Sequence, residues 1–401
     1  MARGQGPGTG TGMIDFDEVL DNRDHHLEKW DEVAERYNVP GDTGIPLWVA
    51  DMDFRAPPSV NAALQKMVDH GVHGYYGPDD SFREALVGWM ARRHDWTVQP
   101  EWALQTHGLG NALSVIVNAC SAPGEGVIIF SPVYHAFARI IKANERRVHA
   151  SPLVISDGRF HMDIDSLEAS LTGDEKIMFL CSPHNPGGRV WNADELRDVA
   201  AFCARHDIIL VSDEVHHDLI LPGHSHTILA KAAPGIDDRL ITLVATSKTF
   251  NIAGIETGTM LIGNEALRRK VAKARSAMNI SNNRFGMLMA EAAYRGGDEW
   301  LDRLIPYLDG NRRLLNEAIE GIPGLSVMNL EATYLAWVDF AGTGMAREEF
   351  VERLTRAGLA PSEGRAFGPE GELCMRFNIA CRHALLDEAM ARLSDAFADL
   401  Q

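Results

Sequence analysis

The stretch KIMFLCSPHNPGGRVWNADELRDVAAFCARHDIILVSDEV (176–215) decides the fold. It opens on Lys176–Cys181, an apolar run of the length of a buried strand, and closes on a second such run, Ile208–Val211. Between them Leu196, Val199, Ala200 and Cys203 recur at helical spacing and form one apolar stripe. Asn192 stands where a helix cap belongs, and Glu195 follows three residues later, which is capping-box spacing. Further strand-length runs lie at Gly126–Phe130, Leu240–Ala245 and Gly258–Ile262, each ending in turn chemistry. Strands alternating with helices predict an α/β fold with a largely parallel sheet and helices on both faces.

The pattern changes near residue 300. A helix over Trp300–Glu320 leads to a strand at Leu335–Phe340, a helix at Arg347–Ala357, a strand at Leu373–Asn378 and a last helix at His383–Leu400. This predicts a smaller α+β domain over 299–401, beside a large domain over 56–298. Residues 13–55 are expected to pack with the smaller unit. Residues 1–12, MARGQGPGTGTG, read as a flexible tail. Their glycines are no phosphate loop, because no strand precedes them and no Gly-Lys-Ser/Thr follows.

Composition narrows the function classes. Among 401 residues, Lys and Arg number 38 and Asp and Glu 56, a formal net charge of -18. An acidic chain opposes non-specific binding to nucleic acid or anionic membranes, and no helix-turn-helix pattern is present. No run of about 18 apolar residues suggests a membrane span, and the N-terminus lacks the apolar core of a secretory signal. The five cysteines form no Cys-x-x-Cys pair, and an odd count in a long chain argues against a disulfide framework. A cytoplasmic location is expected.

Three candidates for chemistry sit where strands give way to loops, the place where open α/β sheets bind ligands. Asn185 follows Lys176–Cys181, Asp213 follows Ile208–Val211, and Lys248 follows Leu240–Ala245. An amine, a carboxylate and an amide suit a pyridine aldehyde. The amine condenses with the aldehyde, the carboxylate pairs with the ring nitrogen, and the amide donates to the ring oxygen.

The blocks CSPHNPGGRVW (181–191), SDEVHHDL (212–219) and ATSKTFNIAGI (245–255) resemble the fold-type I pyridoxal-phosphate (PLP) enzymes of the class I/II aminotransferase superfamily. More closely they resemble its MalY/PatB group of cystathionine β-lyases, or carbon–sulfur lyases. WVADMDF (48–54), GYYG (74–77), PVYHAF (132–137) and RFNIA (376–380) extend the likeness from about residue 14 to the C-terminus. The resemblance implies a seven-stranded, mostly parallel sheet in the large domain, and a role for each matching residue. Lys248 would carry the cofactor as a Schiff base and act as acid and base at the substrate Cα. Asp213 would face the pyridine nitrogen, Asn185 the ring oxygen, and Tyr134 would stack on the ring. His216 would replace a tyrosine that contacts the ring oxygen in many relatives. Ser247 and the amides near Gly108 and Leu109 would hold the phosphate, aided by a helix starting near Asn111. Tyr75 would reach the cofactor phosphate of a partner subunit, so the active form would be a homodimer. Arg376 would clamp the substrate α-carboxylate, with Trp48 and Ala50 lining the mouth.

Two departures stand out. The phosphate loop is Thr-His-Gly-Leu-Gly-Asn (106–111), where the lyase group usually has a bulkier apolar pair and a proline. Glu256 stands eight residues after Lys248, where many aminotransferases carry arginine, although the lyase group generally lacks that arginine too. No metal is expected, because His216, His217, His224 and His226 have no Cys or Glu at a recognisable ligand spacing. The implied reaction is α,β-elimination from L-cystathionine or another cysteine S-conjugate, giving thiol, pyruvate and ammonia. Lys248 or Tyr75 would assist the leaving thiolate. Transamination, and a decarboxylative oxidative deamination, use nearly the same motifs and remain open from sequence.

Overall fold

The computed structural model describes residues 14–400, so the expected tail at 1–12 lies outside the described residues. The larger sheet has seven strands in the spatial order Ala103–Thr106, Gly258–Leu261, Leu240–Val244, Ile209–Asp213, Glu175–Cys181, Gly126–Ser131, Arg147–Pro152. Only Gly258–Leu261 runs antiparallel to its neighbours; the four pairings from Leu240–Val244 across to Arg147–Pro152 are parallel.

Side-chain alternation explains why these strands read as unbroken apolar runs. Ile128, Met178, Leu210 and Leu240 point to one face, where they meet Leu196, Val199 and Phe202 of the helix Ala193–Arg205. Val127, Ile177, Phe179, Val211 and Ile241 point to the other, against Leu113, Ile116 and Val117 of the helix Gly108–Cys120. Helices cover both faces, so every position of Gly126–Ser131 and of Leu240–Val244 is buried.

The smaller sheet has five strands, ordered Ile45–Leu47, Leu359–Glu363, Cys374–Asn378, Leu335–Asp339, Ser326–Val327. Ile45–Leu47, from near the N-terminus, pairs in parallel with Leu359–Glu363, so the first part of the chain completes a sheet otherwise built from its last part. Residues 48–54 then cross toward the larger sheet.

Several elements escaped the sequence reading for physical reasons. Ala103–Thr106, Arg147–Pro152 and Ile45–Leu47 are edge strands, short or polar, and Pro46 sits inside one of them. Leu359–Glu363 contains Pro361. The helix expected to start near Asn111 begins at Gly108, whose φ of +68° suits the entry turn. No helix among the described residues is long and apolar enough to cross a membrane. All five cysteines are free.

The capping box forms as its spacing predicts. Asn192 Oδ1 accepts from the Asp194 and Glu195 amides at 2.9 and 3.0 Å, and Glu195 Oε2 accepts from the Asn192 amide at 2.7 Å. Asn192→Ala should lower the unfolding free energy by about 1 kcal/mol, with Asn192→Gly costing less, as read by urea denaturation.

Candidate active site

The parallel strands all deliver their carboxyl ends to one edge of the sheet, and the chemistry-bearing residues follow. Asp213 is the last residue of Ile209–Asp213. Asn185 follows Glu175–Cys181, and Tyr134 follows Gly126–Ser131. Lys248 lies in the one-turn helix Thr246–Thr249 just past Leu240–Val244. Gly108 and Leu109 open the helix after Ala103–Thr106.

This edge is dry. Burial drives the Asp213 carboxyl up to about 7, although the Val215 amide donates to its Oδ1 at 3.3 Å and the charge of Lys248 pulls the other way. Burial also lowers the Lys248 ammonium below the usual lysine value, against the attraction of Asp51. The Lys248 amine donates to the Ala50 carbonyl at 2.7 Å.

Arg376, on the smaller sheet, reaches the same chamber and is only 3% exposed. Its Nη1 donates to Asn185 Oδ1 at 3.2 Å, and its Nη2 to Ser362 Oγ at 3.2 Å and to the Trp48 carbonyl. Its Nε has no partner, and the guanidinium lies 4.9 Å from the Phe367 ring centroid. No carboxylate among the described residues pairs with it, and burial lowers it to about 10. A desolvated fork of donors without a counter-ion is suited to a ligand carboxylate. A cavity of about 780 Å³, lined by Tyr37, Trp48, His135, Ser362 and Phe367, opens beside it.

Trp48 and Ala50 therefore act through their carbonyls. The segment that carries them is pinned by two asparagines that sequence reasoning quoted inside motifs but gave no role. Asn251 accepts from the Met52 amide at 2.8 Å and donates to the carbonyls of Met52 and Phe54 at 2.9 and 2.7 Å. Asn378 donates to the carbonyls of Val49 and Asp51, each at 2.5 Å. Tyr334, also missed, donates its hydroxyl to Ala50 at 2.9 Å. The available signal was position: Asn251 is in the lysine block and Asn378 in the arginine block.

The remaining expected residues divide. Tyr134 is partly buried and feels the Asp213 charge. His216 is buried with Nδ1 unpartnered, and burial lowers it to about 3, so the ring is neutral. Ser247 lies beside Lys248, and the neighbouring Thr246 Oγ1 is buried without a partner. The amides at Gly108 and Leu109 have no side-chain cap, and a Cβ on Gly258 would stand 2.6 Å from Leu109 Cδ2, so the two segments are in close contact. Glu256 is exposed in a left-handed turn at φ +45°. Tyr75 is 99% exposed, so the chain alone does not bring it to the chamber. The histidines group differently from expectation: His217 joins His94 and Asp218, and His226 bonds Glu214 at 2.9 Å.

The sequence matches the family described as aminotransferase class I and II over residues 43–393. The chain belongs to that family. Within it, the chain is 36% identical to cystathionine beta-lyase PatB of Bacillus subtilis, over 96% of this chain and 100% of that protein. It is 32% identical to protein MalY of Escherichia coli, over 96% of this chain and 99% of that one. The crystal structure of cystalysin from Treponema denticola, which contains pyridoxal 5'-phosphate, superposes with a TM-score of 0.93 at 34% identity, covering 97% of this chain and all of that one. The PatB/MalY membership and the fold-type I architecture expected from the sequence thus both stand.

The chamber of this family member has a titration signature of its own. Asp213 binds a proton more tightly folded than unfolded, so between about pH 4 and pH 7 the unfolded state loses its proton first. Stability then falls as pH rises through that window. In cofactor-free protein, Asp213→Asn should remove this slope and gain stability at pH 8 relative to pH 4, on the order of 4 kcal/mol at most. Urea unfolding at the two pH values checks it.

Proposed function

We propose that this chain is a PLP-dependent carbon–sulfur β-lyase that eliminates a thiol from a cysteine S-conjugate; the released aminoacrylate takes up water to give pyruvate and ammonia. The observation that carries this reading is the buried, counter-ion-free Arg376 in the same chamber as the Lys248 amine and the Asp213 carboxylate. An amino acid substrate supplies the missing carboxylate.

The chain's donors suit pyridoxal phosphate. Lys248 is the amine for the aldehyde, and Asp213 the acid for the ring nitrogen. Asn185 has its amide nitrogen free for the ring oxygen, because its own oxygen is taken by Arg376. His216 would offer its unpartnered ring nitrogen to the same oxygen, and Tyr134 a ring to stack on. The Gly108 and Leu109 amides, Ser247 and the unpartnered Thr246 hydroxyl would hold the phosphate. When bound, the cofactor supplies an electron sink conjugated to the substrate α-carbon.

The protein's own groups do the rest. Arg376 binds the α-carboxylate in its two-pronged fork and orients the Cα–H bond. The Lys248 amine, biased toward its neutral form by burial, takes the α-proton. The Cβ–S bond breaks, and the proton held on Lys248 is available to the departing thiolate. The cavity beside Trp48, His135 and Phe367 receives the sulfur substituent. L-Cystathionine, named for the relatives, is the first substrate to try.

The active form is a homodimer in which Tyr75 reaches the phosphate of the second subunit. Its full exposure in one chain supports this, as does the neighbouring exposure of Val68, Val72 and Phe285. The five free thiols fit a reducing cytosol.

Three outcomes are expected. The yellow holoenzyme releases pyruvate from an S-conjugate without any added keto acid; a requirement for keto acid would make it a transaminase instead. Lys248→Ala abolishes both turnover and the absorbance of the lysine-bound cofactor. Mixed dimers of inactive Lys248→Ala and Tyr75→Ala chains recover about a quarter of native activity, because half are heterodimers with one intact site; no recovery would place Tyr75 within its own subunit.

A further inference from the structure

Asp218 is a buried, well-bonded carboxylate outside the chamber. Its side chain is 2% exposed. Oδ1 accepts from Trp89 Nε1 at 3.1 Å and faces His94 Nε2 at 2.7 Å. Oδ2 accepts from the Thr249 hydroxyl at 2.7 Å and has His217 Nε2 at 3.3 Å. Three hydrogen-bond partners and one close imidazole, from three segments, meet on one carboxylate. Thr249 is the residue after Lys248, His217 and Asp218 lie on the turn that follows Asp213, and Trp89 and His94 belong to the helix Asp80–His94.

A buried carboxylate costs several kcal/mol in lost hydration unless its hydrogen bonds are complete. Here they are nearly complete, and they cross between the elements that carry the amine and the acid. The backbone already joins those elements along the parallel pairing of Ile209–Asp213 with Leu240–Val244, which ends where the Glu214 amide donates to the Leu243 carbonyl at 2.9 Å. That bond fixes the strand ends but not the one-turn helix beyond them, which has no side-chain cap. The Thr249–Asp218 bond is what anchors this helix to the Asp213 side. Phe250 adds an edge-on ring contact to Trp89 at 5.3 Å between centroids.

We propose that Asp218 is a positioning residue for the reaction: through Thr249 it fixes the Lys248 amine relative to the Asp213 carboxylate, with Trp89 and His94 as its foundation. This rests on the roles given above to Lys248 and Asp213. The same carboxylate bears on the acid electrostatically. Burial opposes a charge on His217, but Asp218 and Glu214 outweigh it and raise its pKa, and a cationic His217 favours the ionised form of Asp213.

His94, His217 and Asp218 also have the chemistry of metal ligands. A cation there would have to displace the proton of His94 Nε2 and compete with the Trp89 and Thr249 donors. The Trp89, His94 and Thr249 bonds already occupy most of the lone pairs that Asp218 could give.

Three variants test the proposal on holoenzyme. Thr249→Val removes the donor without changing the side-chain shape, and should lower kcat about tenfold to a hundredfold with KM nearly unchanged. Thr249→Ser, which keeps the donor, should recover most of the rate. Asp218→Asn should lower kcat further and shift the imidazole N–H signals of His94 and His217 in the NMR spectrum of the cofactor-free protein. Native kcat in Thr249→Val would overturn the proposal. So would equal losses in Thr249→Val and Thr249→Ser, or stoichiometric zinc in the purified native enzyme. If the native enzyme is colourless and inactive, the functional reading has failed instead, and the variants are not reached. Should Asp218→Asn not fold, the Thr249 pair still decides.

Discussion

The rest of the structure depends on keeping a guanidinium, an amine and a carboxylate out of water together. Each alone would be a burden: a buried ion without a close partner destabilises a fold by several kcal/mol. Arg376 is held only by neutral acceptors, Lys248 by a backbone carbonyl, and Asp213 by one long amide bond. The protein has thus left its chamber short of the contacts that a ligand with a carboxylate and a protonated ring would supply. The strain shows as pKa displacement, with Asp213 raised and both Lys248 and Arg376 lowered. Such displacement marks functional sites because the same charges are stabilised once the ligand arrives.

The sheet makes the gathering possible. Parallel strands point the same ends to the same edge, so residues far apart in sequence meet without long loops. Asp213 and Lys248 come from adjacent strands, and Asn185 from the next strand over. The two apolar clusters on the sheet faces carry the stability, which leaves the edge free for groups chosen by chemistry. Arg376 arrives from a different sheet, and the chamber therefore lies where the two sheets approach each other. The chain between them, residues 48–54, must then be fixed in its own right, and Asn251 and Asn378 do this from opposite sides.

What the sequence disclosed follows from this division. Buried central strands announce themselves as apolar runs, and the capping box by spacing, so the large sheet and the helix Ala193–Arg205 were legible. Lys248, Asp213 and Asn185 were legible because each follows such a run. Edge strands were not, since Arg147–Pro152 and Ile45–Leu47 gain their structure from one neighbour and carry proline or polar residues. The network around Asp218 was hidden for another reason. His94 and Trp89 lie more than a hundred residues upstream of Asp218, and no local pattern marks a helix residue that will bond a distant turn. The matching blocks gave Trp48 and Ala50 a place at the mouth, but not the fact that their carbonyls do the binding.

That last point says how the site measures its substrate. The Trp48 carbonyl receives the guanidinium and the Ala50 carbonyl receives the amine. The two carbonyls lie two residues apart, where the chain leaves Ile45–Leu47 and bends at Val49 and Ala50. One short segment therefore holds both the group proposed to bind a carboxylate and the group proposed to remove a proton. The indole of Trp48, bonded to the Lys29 carbonyl at 3.0 Å, and the asparagines behind the segment hold it in place together. On the roles proposed for Lys248 and Arg376, proton abstraction needs the two in register, and residues that touch neither substrate nor cofactor help to keep them so. On the same reading, the shape of the sulfur substituent is met elsewhere, in the cavity beside Tyr37, His135 and Phe367. Reaction geometry and substrate choice are thereby assigned to different parts of the chain, and the second can change while the first is preserved.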